Sequence, residues 1–157
     1  MVAPKNIFIV DDDNDFNSLL KEIFSQAGYQ VESSTNPSEA LKRILTGAFD
    51  LVVLDQKMPD LTGLELLEKI RAQKANLPVV VVSGFLEGSS TQQFINAGVA
   101  GIFFKPINIF SLLKRVEEIF KGSVKSSGAV AAAADMGIRG FTRTPFASPA
   151  SKELFLK

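Results

Sequence analysis

Five short runs of apolar residues recur along the chain, separated by stretches in which apolar positions return at helical spacing. The runs are Ile7-Phe8-Ile9-Val10, Tyr29-Gln30-Val31-Glu32, Leu51-Val52-Val53-Leu54, Val79-Val80-Val81-Val82 and Gly101-Ile102-Phe103-Phe104. The first, third and fourth are apolar throughout, which fits strands covered on both faces of a parallel sheet. The second alternates and is expected nearer an edge. After the first run, Phe16, Leu19, Leu20, Ile23 and Phe24 form a helical stripe that Gly28 stops. Ala40, Leu41, Ile44 and Leu45 form a second stripe, begun through Asn36-Pro37 and left at Gly47. Leu64, Leu66, Leu67 and Ile70 make a third. Phe94, Ile95 and Ala97 make a weaker fourth, ended by Gly98. Ile109, Leu112, Leu113, Val116, Ile119 and Phe120 make a fifth, ended by Gly122.

Strands that alternate with helices in this way predict a doubly wound α/β fold with right-handed crossovers and helices on both faces of the sheet. In such folds the functional site forms at the carboxyl ends of the strands. Beyond Gly122 the periodicity lapses into Ser, Gly, Ala, Thr and Pro. The expected organisation is therefore one domain over 1–122 and a linker or flexible tail over 123–157 that leads toward an output domain. Charge changes at the same point: residues 1–122 carry 12 basic and 15 acidic side chains, whereas 123–157 carry 5 and 2.

Composition narrows the chemistry. Over the 157 residues 17 Lys and Arg balance 17 Asp and Glu, so no global field draws the chain to nucleic acid or membrane. There is no Cys and no His. That removes disulfides, thiolate nucleophiles, imidazole bases and metal sites built on sulfur or imidazole. No apolar run approaches the roughly 18 residues needed to cross a bilayer, and the first meets three consecutive Asp. A cytoplasmic location, no membrane contact and no direct binding of nucleic acid are expected.

The residues just after the runs hold the remaining chemistry. The first run ends in Asp11-Asp12-Asp13, the third in Asp55, the fourth in Ser83 and the fifth in Lys105-Pro106. Two carboxylates at ~4 Å repel by roughly 4 kcal/mol at an effective dielectric of 20, so such a cluster calls for a cation. Oxygen donors alone select a hard divalent ion, Mg²⁺ above all. Lys105 and Ser83 add a cation and a small donor for an anion. The set reads as a phosphoryl-transfer site with a carboxylate nucleophile.

Four segments carry a resemblance: Ile9-Val10-Asp11-Asp12-Asp13, the stretch from Leu54-Asp55-Gln56-Lys57-Met58-Pro59 to Thr62-Gly63-Leu64-Glu65, Val82-Ser83-Gly84 and Phe104-Lys105-Pro106. In order and spacing they resemble the receiver domains of two-component response regulators, chemotaxis receivers among them. The resemblance runs from about Asn6 to Phe120 and implies a flavodoxin-like sheet of strand order 2-1-3-4-5. It implies that Asp55 accepts a phosphoryl group from a phosphohistidine on a sensor histidine kinase or phosphotransfer protein, and that Mg²⁺ is the cofactor. The implied ligands are Asp12, Asp55 and the backbone carbonyl of Lys57, with Asp11 acting mainly through water. Lys105 would bridge to the phosphoryl group, with the Lys105–Pro106 peptide cis, and Ser83 would move inward as the switch.

The chain departs from the pattern at Ile102, where receivers often carry an aromatic partner to the Ser83 switch. Phe85 and Lys57 are bulky residues flanking the acceptor. The resemblance also implies a homodimer or partner face on helix four, strand five and helix five, with Phe94, Ile102, Phe103 and the solvent edge of Ile109–Phe120 as its apolar part. Other readings stay open on the residues. Asp13 or Asn14 fits a helix N-cap. Asp11, Asp13, Asp15 and Glu22 imitate a calcium loop, although Phe16 stands where that loop needs Gly. An aspartyl-phosphate hydrolase dependent on metal, and a degenerate receiver that only binds protein, are the alternative functions. Ser148-Pro149 faintly resembles the first-helix opening in the ATPase domain of sigma-54-dependent activators.

Overall fold

The computed structural model describes residues 4–84, 86 and 88–122. The expectations for Phe85 and for 123–157 fall outside the described residues. Ten elements alternate: β1 (Asn6–Val10), α1 (Asn14–Gln26), β2 (Gln30–Ser34), α2 (Pro37–Thr46), β3 (Leu51–Leu54), α3 (Gly63–Gln73), β4 (Val79–Ser83), α4 (Gly88–Asn96), β5 (Gly101–Phe104) and α5 (Ile109–Phe120). The five strands form one sheet in the order β2-β1-β3-β4-β5, the doubly wound order expected. The described residues divide into two compact units, with the division between Val80 and Val81.

In the first unit β1 pairs in parallel with β2 on one side and with β3 on the other. The side chains of Ile7, Ile9, Val10, Leu51, Val52 and Leu54 are fully buried, so β1 and β3 are covered on both faces. No residue of β2 is fully buried, as an edge strand should be. It runs to Ser34 because Ile9↔Ser33 and Val10↔Ser34 continue the ladder after the apolar run has ended. Chain-specific caps set the helices. The Asp13 side chain accepts from the backbone N–H groups of Asp15 and Phe16 and caps α1. Asn36 caps α2, and Pro37 holds its first position. Thr62 and Glu65 form a reciprocal capping box at the start of α3.

One position of the α1 stripe differs from the expectation. Leu20 and Phe24 are fully buried, but Leu19 is 49% exposed. The inward face is centred on Asn17, Leu20 and Phe24, and at about 100° per residue Leu19 lies well over 90° from that centre.

β4 is buried along its whole length, and its Val81, Val82 and Ser83 open the second unit. The Lys105 N–H donates to the Ser83 carbonyl at 2.9 Å, so β4 and β5 remain paired at their carboxyl ends. Phe94 on α4 and Phe103 on β5 are fully buried, and Ile102 is 1% exposed. These three side chains therefore belong to the core, which corrects their share of the face read from the sequence but not the share given to the solvent edge of Ile109–Phe120. They are large, apolar and flanked by other apolar positions, and burial in the core takes their side-chain surface out of water. The exposed large apolar side chain of this unit, among the described residues, is Phe110, at 83%.

Candidate functional site

The acidic site grows from the β1–β3 pairing. Val10 and Leu54 are register partners, and the Asp55 N–H donates to the Val10 carbonyl at 3.0 Å. The next residues, Asp11 and Asp55, thus leave adjacent strands side by side. Asp11 is 2% exposed and Asp55 5%. Carboxylate oxygens of Asp11, Asp12 and Asp55 all lie within 4.8 Å of one another, with Asp12 on the solvent side.

The local chain fixes these groups further. Asp11 Oδ1 accepts the N–H of Asp13 at 2.9 Å, which closes the turn into α1. Asp13 itself points into the α1 cap, so it is the structural member of the acidic triplet. Past Asp55, the Gly63 N–H donates to the Gln56 carbonyl at 2.9 Å, and the Leu64 N–H donates to Gln56 Oε1 at 2.8 Å. The start of α3 is therefore laced to the residue after Asp55. Gly63 is required by this approach. A Cβ there would strike the Asp55 carbonyl oxygen and would lie 2.9 Å from Gln56 Cα, both of them backbone atoms. Asp60, in the intervening loop, has φ of 72°. Lys57 is exposed.

In the second unit, Ser83 ends β4 and is fully buried, while Lys105 follows β5 and is half-buried. The Lys105–Pro106 peptide is cis. Ile102 lies in the interior of β5, three residues before Lys105.

The acidic group fits a small divalent cation. In an octahedral ion with bonds of about 2.1 Å, donor oxygens stand roughly 3 to 4.2 Å apart, and three oxygens within 4.8 Å need only small side-chain rotations to reach this. All donors are oxygen, as Mg²⁺ prefers. Two of the three carboxylates are buried, so a cation there would relieve repulsion that water screens poorly.

Sequence reasoning missed the Thr62–Glu65 box, the close approach at Gly63 and the polar side chain of Asn17. The Thr-x-x-Glu spacing would have revealed the first. The Asn17 Nδ2 donates to the Asp11 carbonyl at 2.7 Å and to the Ser34 carbonyl at 3.3 Å. No sequence signal marks that bridge.

Comparison with known proteins agrees with this geometry. The family model of the response regulator receiver domain matches residues 7–117. The sporulation initiation phosphotransferase F of Bacillus subtilis (strain 168) is 31% identical over 114 residues, covering 73% of this chain and 92% of that protein. The response regulator MprA of Mycolicibacterium vanbaalenii is 33% identical over 131 residues, 83% of this chain but 57% of that longer protein. A crystal structure of a CheY-like response regulator receiver domain protein from Methanospirillum hungatei JF-1 matches with a TM-score of 0.74 at 32% identity, covering 76% of this chain and 96% of that one. With the strand order 2-1-3-4-5 and the acidic group at the ends of β1 and β3, the chain belongs to the response regulator receiver domain family.

Proposed function

We propose that this receiver accepts a phosphoryl group on Asp55 from a phosphohistidine of a sensor histidine kinase or phosphotransfer protein, and that Mg²⁺ is its cofactor. The observation that carries the proposal is the convergence of the Asp11, Asp12 and Asp55 carboxylates within 4.8 Å, with Asp55 buried at the end of β3. Asp12, Asp55 and the Lys57 carbonyl would hold the ion, and Asp11 would act mainly through water. When bound, the ion supplies positive charge to the phosphoryl oxygens.

A carboxylate oxygen of Asp55 attacks phosphorus; the new O–P bond forms as the P–N bond to the donor imidazole breaks. The electron pair of that bond leaves with the imidazole, which takes a proton from solvent. The absence of His from this chain is consistent with a donor on another protein. Lys105 pairs its ammonium with the transferred group, and Ser83 donates its hydroxyl to a phosphoryl oxygen as the switch element. Ile102 occupies the position of the usual aromatic companion without its polar handle, so Ser83 carries the switch. Water later cleaves the acyl phosphate and returns Asp55 to the carboxylate. We assign the receiver to 1–122 and a linker to 123–157, with a cytoplasmic site of action.

The test is acetyl phosphate with Mg²⁺. The unaltered chain is expected to take up one phosphoryl group, mapped to Asp55 by mass spectrometry, and Asp55→Asn is expected to take up none. Equal labelling of the Asn variant at another residue refutes the assignment, and continuous turnover in place of stoichiometric uptake marks a hydrolase.

A further inference from the structure

Asn17 lies on the inward face of α1 and is 2% exposed, an unusual position for a carboxamide. Its Nδ2 donates to the carbonyl of Asp11 at 2.7 Å and to that of Ser34 at 3.3 Å. Because a carbonyl can only accept, the amide can face them in one sense alone. The opposite atom, Oδ1, is buried with no hydrogen-bond partner. A residue chosen for packing would bury no unmatched oxygen, so apolar packing does not account for an amide here.

The location does account for it. The last rung of the β1–β2 ladder is stretched, with the Asp11 N–H donating to the Ser34 carbonyl at 3.4 Å. Asn17 spans this opening. It ties the backbone of Asp11 both to α1 and to the end of β2, immediately before the chain turns toward the Asn36 cap of α2. Ser34 is itself fixed on the far side, since its Oγ accepts the Asn36 N–H at 3.0 Å. With the carbonyl of Asp11 held by Asn17, and its Oδ1 held by the Asp13 N–H, neither end of that residue can swing away.

We infer that Asn17 is a positioning residue for the cation: it fixes the backbone from which the Asp11 and Asp12 carboxylates project, and so sets the affinity of the acidic group for Mg²⁺. The inference rests on the receiver reading above. Groups that orient metal ligands without touching the metal commonly change affinity by about 10-fold to 100-fold when removed.

The experiment is calorimetric titration of the whole chain with Mg²⁺. Asn17→Leu keeps the branched heavy-atom skeleton and removes the donor; Asn17→Ser gives up packing but admits water and a small polar group. Both are expected to bind Mg²⁺ about tenfold or more weakly while keeping the far-UV circular dichroism of the unaltered chain. Ile44→Val, a core change on α2, is the control and should lower stability with no change in Mg²⁺ affinity. Unaltered affinity in the folded Leu and Ser variants overturns the inference, while labelling of Asp55 in the unaltered chain tests the receiver reading separately. Failure of both variants to fold makes Asn17 a core residue and overturns it equally. An unaltered chain that binds no Mg²⁺ overturns the inference and the receiver reading together.

Discussion

Gly63→Ala offers a sharp test of how the acceptor residue is held. Adding one methyl there sets it against the Asp55 carbonyl oxygen first, then against Gln56 Cα at 2.9 Å and the Asp55 carbonyl carbon at 3.0 Å. None of these is a side-chain tip that can rotate away. Either α3 retreats or the Asp55–Gln56 backbone moves, and two hydrogen bonds resist the first: Gly63 N–H to the Gln56 carbonyl, and Leu64 N–H to Gln56 Oε1. Overpacking of this kind costs typically 1–3 kcal/mol. Alanine is the better helix former by up to about 1 kcal/mol, though less at the first helical position than in the interior. The expected net loss is about 1–2 kcal/mol, read as a lower urea midpoint at unchanged slope. Displacing a nucleophile by about 1 Å can cost on the order of 100-fold in rate. A shift of a few tenths of an ångström should therefore slow labelling by acetyl phosphate by roughly tenfold. A variant as stable as the unaltered chain to within about 0.5 kcal/mol, labelling at the same rate, would refute the argument that this contact positions Asp55.

Two further outcomes follow from the same residues and from the second unit. Thr62→Ala removes the capping box and should cost about 1 kcal/mol in urea unfolding, yet leave labelling within about twofold, because nothing is pushed toward Asp55. Arg115 is 8% exposed; its Nε donates to the Ala100 carbonyl at 2.7 Å, but its Nη2 is buried without a partner. Arg115→Met loses the Ala100 bond and the 3.6 Å ion pair with Glu118 but also removes the unpartnered Nη2, and Glu118, 40% exposed, stays solvated; its unfolding free energy should stay within about 1 kcal/mol of the original. A loss of about 3 kcal/mol or more would show that the guanidinium is fully compensated. Burial lowers the Arg115 pKa below the ordinary guanidinium value, against an opposing pull from Glu118. The folded chain then releases this proton before the unfolded one does, so the residue makes stability rise with pH only in the strongly alkaline range and leaves it flat near neutrality.

The elements with the strongest patterns were legible to the residue. Leu51–Leu54 and Ile109–Phe120 begin and end where their apolar periods do. The acidic group was legible too, because each member directly follows an apolar run, and a sheet gathers strand ends. What escaped depended on partners distant in sequence. The stripe on α1 counted Leu19 as core, since apolarity alone does not say which side of a helix meets the sheet. Phe94, Ile102 and Phe103 read as a surface from family habit, although their own size and apolar neighbours argue for the core they occupy. Asn17 carries no signal in the sequence because its two acceptors are the backbone carbonyls of Asp11 and Ser34. Backbone carbonyls carry no side-chain signature.

The same contrast explains how the site gets its dimensions. Neighbouring strands lie about 4.8 Å apart, and the Val10↔Leu54 register puts Asp11 and Asp55 on the next rung of that spacing. The separation of the two buried carboxylates is thus a property of the ladder before it is a property of either side chain. A slip of one residue in either strand would turn that strand's carboxylate to the opposite face and exchange the sides on which its buried side chains pack, Ile9 and Val10 on β1 or Val52 and Leu54 on β3. The packing of particular side chains on both faces of β1 and β3 therefore holds the register that the acidic site needs, and the mutual repulsion of its carboxylates is borne by the core beneath them. Side-chain bonds enter where the ladder stops: the Asp13 N–H on Asp11, the Asn17 bridge to Ser34 and the Gln56 contacts with α3 each hold a backbone segment just beyond the last rung. Core residues set the distance, and the polar residues at the strand ends keep it there.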